Sequence, residues 1–97
     1  MTRTIDVQLE AEQPQGGTYT VRVTEDGSHT EHRVDLRTAD YRRLSGGRMS
    51  PEELLRRTFE FLLTREPKEA ILRRFDLAVV SSYFPEFEQA IRQQPSG

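Results

Sequence analysis

The sequence predicts an α+β fold: a three-stranded antiparallel meander packed on one face by three or four short helices. Three observations carry that reading. Apolar residues alternate with polar ones up to Leu36, the period of a half-buried strand. Asp26-Gly27, a strong two-residue hairpin signal, divides two of the alternating runs. After Ser50 the apolar spacing becomes helical, opening on a well-marked helix start.

The first strand is carried by Ile5, Val7, Leu9 and Ala11. Tyr19, Val21 and Val23 form the second, and Thr30, His32, Val34 and Leu36 share one face of the third. Pairing about Asp26-Gly27 sets Val23 opposite Thr30, Val21 opposite His32 and Tyr19 opposite Val34, which keeps the apolar faces together. The loop Gln13-Pro14-Gln15-Gly16-Gly17 is longer, and pairing across it sets Leu9 opposite Val21 and Val7 opposite Val23. The sheet then has edges along 4–11 and 29–36, each blunted by polar side chains on its outer face.

Thr38 is placed to cap a short helix carrying Tyr41 and Leu44, which Gly46-Gly47 ends. Ser50 caps the next helix, and Pro51 at its first position gives up only an amide that had no helical partner. Glu53 completes a capping box, with Met49 and Leu54 as a hydrophobic staple. Leu54, Leu55, Phe59, Phe61, Leu62 and Leu63 make a wide apolar arc, so this is the expected central core helix. It should stop near Arg65, because residues before Pro67 avoid helical geometry. Pro67 is expected to open a shorter helix with Ile71, Leu72 and Phe75. Asp76 can cap another turn or two over Leu77 to Tyr83. Pro85 opens a last helix with Phe87, Ala90 and Ile91 inward. The domain reading is therefore one unit over 1–97: a meander at 1–36, a helical part at 37–92 and a frayed tail at 93–97.

Two segments of this pattern, SPEELLRRTFEFLLTREP at 50–67 and ILRRFDLAVVSSYFPEFEQAI at 71–91, cover about 40% of the chain. Through them the chain resembles small bacterial proteins of no assigned activity that join a short β-meander to helices. The resemblance implies the same architecture and a bacterial origin, and it carries no catalytic residue across.

The composition narrows the function. Ninety-seven residues make one small domain. Absence of cysteine excludes disulfides and thiolate zinc sites, and it fits the cytoplasm, which is the expected location. The N-terminal MTRTIDVQLEAEQ lacks the apolar stretch of a signal peptide, and the longest apolar run, Leu77 to Val80, falls far short of a membrane span. The net charge of −2 argues against bulk attraction to nucleic acid or anionic lipid. It is unevenly distributed: residues 1–36 are net −4, while 37–47 and 48–74 are each +2.

Chemistry-bearing constellations are few. His29 and His32, the two histidines, lie three apart in a strand and face opposite sides, so no metal site is expected. No serine elbow occurs, and Gly46-Gly47-Arg48 lacks the spacing of a phosphate loop. Glu52, Glu53 and Glu86 sit in first helical turns, where the dipole favours acids. No catalytic residue and no cofactor is expected. The doublets Arg42-Arg43, Arg56-Arg57 and Arg73-Arg74 are the candidates for an RNA-binding stripe, the alternative reading. Glutamates at helical spacing can pair with them, and interleaved aromatics are lacking. Tyr83, Phe84 and Phe87 crowd one helix–Pro–helix corner. They read either as rings folded over the core or as a contact surface for another chain. The functional expectation is a small non-enzymatic protein that works through contacts with a protein partner or a second copy of itself. In that reading the aromatic corner is the better route to a homodimer and edge pairing the weaker one.

Overall fold

The computed structural model describes residues 3–93. It is α+β, with a four-stranded mixed sheet and four helices. The elements run β1 (Arg3–Gln13), β2 (Gly16–Glu25), β3 (Ser28–Arg37), α1 (Thr38–Ser45), α2 (Pro51–Leu63), a single 3₁₀ turn (Lys68–Ala70), β4 (Arg74–Asp76), α3 (Val79–Tyr83) and α4 (Phe87–Gln93). Strand order is β1-β2-β3-β4. The last helix reaches Gln93, and the remainder of the expected tail, 94–97, lies outside the described residues.

The β2–β3 hairpin has the expected register: Val23 opposite Thr30, Val21 opposite His32, Tyr19 opposite Val34. Asp26 and Gly27 take φ of 54° and 80°, positive at both central positions, which gives a turn whose twist matches the strands. The β1–β2 register differs from expectation. Leu9 pairs with Tyr19, Val7 with Val21 and Ile5 with Val23, a slip of two residues. Two local causes contribute one residue each. Pro14-Gln15 alone makes the turn, with Gln13 paired to Gly16, and Glu10 is bulged out between Leu9 and Ala11. A slip of two preserves the faces, so Ile5 and Val7 still point toward the core.

The larger correction concerns the sheet's far edge. Ile71, Leu72 and Phe75 do not form a helix. After the 3₁₀ turn the chain runs extended, and β4 pairs parallel to β3, with Arg33, Val34 and Asp35 opposite Arg74, Phe75 and Asp76. Arg33 N donates to Arg73 O at 2.7 Å, and Leu77 N donates to Asp35 O at 2.9 Å. The 29–36 edge is therefore covered over its second half, which leaves β1 as the long open edge.

The helices pack on the inner face of the sheet. Val21, Val23, Val34, Leu54, Leu55, Phe59, Leu77, Phe87 and Ile91 are fully buried between the layers. Phe59 stands at the centre, 5.2 Å from the His32 ring and 6.1 Å from Phe75 between centroids. Thr38 does not cap α1. It is the first helical residue, and its amide donates to Gln15 O in the β1–β2 turn at 2.9 Å. Gly46 ends α1 at φ 59°, a left-handed C-cap. Tyr41 OH reaches Met49 O at 2.6 Å and ties the following loop down.

Ser50 caps α2 as expected, its Oγ accepting from Glu53 N at 3.1 Å. The Glu53 carboxylate is taken by Arg56 and Arg57 instead of closing a box. The helix stops at Leu63, just short of Arg65. Asp76 Oδ1 accepts from Ala78 N at 2.9 Å, holding the turn from which α3 starts.

Candidate functional site: an apolar groove beside β4

The turn from α2 into β4, and from β4 into α3, leaves an open groove of about 370 Å³. Its floor is the core itself: Leu62 from α2, Ile71 and Phe75 from the extended segment, and Val80 from α3. Val79 and Phe84 also line it. Leu72 and Tyr83 stand at the rim, 50% and 67% exposed, and with Leu9 they are the large apolar side chains left in water among the described residues. Glu66 supplies the acidic group in the lining.

Local sequence explains why the rim is apolar. The chain bends at Ile71 and Arg73 before entering β4, and these bends set which side chains face the core. Ile71, Phe75 and Leu77 go inward, and Leu72 is turned to the surface. Its backbone is nevertheless fixed from below. His32, 2% exposed on β3, meets Leu72 O through Nδ1 at 2.8 Å and Thr30 Oγ1 through Nε2 at 2.8 Å. A carbonyl only accepts, so Nδ1 carries the proton, and Nε2 of the neutral ring accepts from the Thr30 hydroxyl. Burial pushes the His32 pKa below its ordinary value. The bond to Leu72 works against that shift, and nearby Arg73 adds to it. The ring is thus a neutral strut under the groove's lip, and His29, exposed on the opposite side, takes no part in it.

The three rings of the aromatic corner separate. Phe87 is fully buried, edge-on to Phe61 at 5.2 Å, and belongs to the core. Phe84 is half-buried, 5.8 Å from Phe61. Tyr83 alone is displayed. Arg65 sits over the Phe61 ring, its guanidinium carbon 3.7 Å from the ring centre, and its Nε reaches Glu86 at 3.3 Å.

The arginine doublets do not converge into one stripe. Arg42 and Arg43 lie on α1, Arg56 and Arg57 on α2, and Arg73 and Arg74 at β4. Arg43 bridges Asp40 at 2.7 Å and Glu88 at 3.0 Å, linking α1 to α4. Arg56 and Arg57 clasp Glu53, and Arg56 also reaches Glu60. Hydrogen bonds from Arg57 and then Arg56 hold the Glu53 carboxyl below its usual range. Arg74 approaches Asp35 at 3.9 Å. No group of three or more histidine, aspartate or glutamate side chains positioned for a metal occurs among the described residues.

Comparison with protein-family models, curated proteins and solved structures finds no match. The geometry of the groove is therefore the principal guide to function. No helix among the described residues is long and apolar enough to cross a membrane. The groove was not legible in the sequence, because it depends on β4 and on the turn of the chain at Lys68. Tyr83 was the one rim residue that local crowding of aromatics singled out. Leu72 carried a signal only in hindsight, as an apolar residue out of step with Ile71, Phe75 and Leu77.

Proposed function

We propose that this protein is a non-enzymatic protein-contact module that holds an apolar segment of a partner protein in the groove beside β4. The observation that carries the reading is the pairing of a concave apolar floor with two exposed apolar side chains, Leu72 and Tyr83, at its rim. Exposed apolar residues grouped around a concavity mark interaction surfaces, whereas scattered ones do not. Tyrosine suits such a place, since its ring buries area and its hydroxyl remains satisfied at the wet margin. Glu66 at the margin favours a partner segment that carries a cation next to its apolar residues. Ion pairing of Arg43, Arg56, Arg57 and Arg74 within the fold supports this reading over RNA binding.

The test is site-specific photo-crosslinking in the native host. A photoreactive residue at Tyr83 should trap a defined protein, and the added substitution Leu72→Glu should abolish the product without lowering the melting temperature. The same residue at Glu31, on the far face of the sheet, is the control. Crosslinking at 83 no stronger than at 31 would remove the proposal.

A further inference from the structure

The second exposed apolar feature lies on the other side of the molecule. β1 is the long open edge of the sheet, and its core-facing side chains are incompletely covered: Ile5 and Val7 are half-buried, and Leu9 is 43% exposed. An open edge with an apolar inner face is a template for another strand. From the order of side chains along this edge we infer that β1 pairs antiparallel with β1 of a second copy of this chain, with Val7 on the twofold axis.

Symmetry and charge select that register from its neighbours. In a continuous sheet both helix layers lie on one side, so the axis must pass through a residue and odd positions must meet odd positions. Centring on Asp6 would place Asp6 against its own copy. Centring on Gln8 would oppose Asp6 to Glu10 twice. Like charges directly opposite destabilise a sheet. Centring on Val7 avoids both clashes: Ile5 faces Leu9 on the inner face, and Asp6 faces Gln8 on the outer face, where the amide can donate to the carboxylate. The bulge at Glu10 ends the regular edge just beyond Leu9, so the paired stretch is 5–9. The polar outer face that seems to blunt this edge is compatible with self-pairing in the Val7-centred register, which pairs the whole regular stretch 5–9 without opposing like charges. Such pairing would cover Leu9, which no element of the chain itself covers fully.

Gln8 supplies a test with opposite signs. It is exposed and sits opposite Thr20 within the fold, so charged replacements there are compatible with folding. In the Val7-centred dimer each replacement acts twice, once on either side of the axis. Gln8→Glu opposes Asp6 with a like charge and should weaken dimerisation about tenfold; Gln8→Lys opposes it with a cation and should tighten it by a similar factor. Sedimentation equilibrium of the full chain at low salt reads both. Wild-type protein that stays monomeric at several hundred micromolar overturns the inference. So does a dimer whose dissociation constant moves the same way, or not at all, in the two variants. Both replacements lie on the opposite side of the molecule from the β4 groove, so the result is independent of what that groove binds.

Discussion

The meander and the segment from Thr64 to Phe84 are built by different means. In the meander alternation fixes each residue's face, and in the β2–β3 hairpin Asp26-Gly27 also fixes the register. In the later segment the neighbours mislead. Ile71, Leu72 and Phe75 have the spacing of a helix face, yet they lie along an extended chain, because three residues of β4 bind to the exposed edge of β3. Pairing with a strand some forty residues earlier overrides a weak local preference. The difference also places the candidate site. The groove forms where the chain is shaped by distant contacts, whereas the β2–β3 hairpin forms where local ones suffice.

The comparison can be strained first at Phe87. The ring is fully buried against Phe61, and Phe87→Ala should cost about 3–5 kcal/mol, a large share of the stability of a small domain. Phe87→Glu should leave no folded protein by circular dichroism. Tyr83→Glu, four residues away and exposed, should melt within about 0.5 kcal/mol of wild type. Equal losses at 83 and 87 would mean that the corner is a single packed unit.

A second strain falls on the meander. Gly16 lies where a Cβ would stand 2.3 Å from Leu36 O. That oxygen is backbone and cannot swing aside, so Gly16→Ala should destabilise by about 1–3 kcal/mol. Gly27 has open space around it, but its φ of 80° strains any other residue; Gly27→Ala should cost about 1 kcal/mol in urea melts.

The two regions meet at His32, and pH probes the junction. Its folded-state pKa lies below the ordinary 6.5, so the unfolded chain binds more protons as the solution is acidified. The contribution of neutral His32 is full above about pH 6.5 and is lost as pH falls through the lower folded value. Stability should therefore drop on acidification through the pH range just below 6.5, before the carboxylates protonate. The variant His32→Gln should be flat over that window. A wild-type profile that is equally flat would show that burial does not lower the pKa of His32.

The smallest effects sharpen the account of α2. Ser50→Ala should cost about 1 kcal/mol, as a lost cap does. Glu53→Ala should cost less. Because the Glu53 side chain serves Arg56 and Arg57 while Ser50 uses the Glu53 amide, the two losses should add to within about 0.5 kcal/mol. A double mutant clearly milder than the sum would restore a reciprocal capping box.

What the sequence disclosed follows the same division. Ser50-Pro51 marked the start of α2 and Gly46 the end of α1, because caps are local devices. The hairpin register was readable from two residues. The β1 register was not, since a tighter turn and a bulge each moved it by one, and neither has a signature as strong as Asp26-Gly27. β4 was hidden by its length of three residues, too short for period two to declare itself. Helical spacing placed Phe87 inward, but the crowding of aromatics grouped it with Tyr83; the packing of α4 against Phe61 separates the core ring from the displayed one.

Everything proposed for the groove depends on Arg74–Asp76 being a strand on β3, with Ile71 and Leu72 leading into it. Residue-resolved amide hydrogen exchange tests that directly. Arg33 N–H and Leu77 N–H donate across the β3–β4 junction, so both should exchange slowly, with protection comparable to the β2–β3 ladder, and residues 74–76 should show extended chemical shifts. Rapid exchange at Arg33 and Leu77 together with helical shifts over 71–75 would contradict the four-stranded sheet and remove the groove with it.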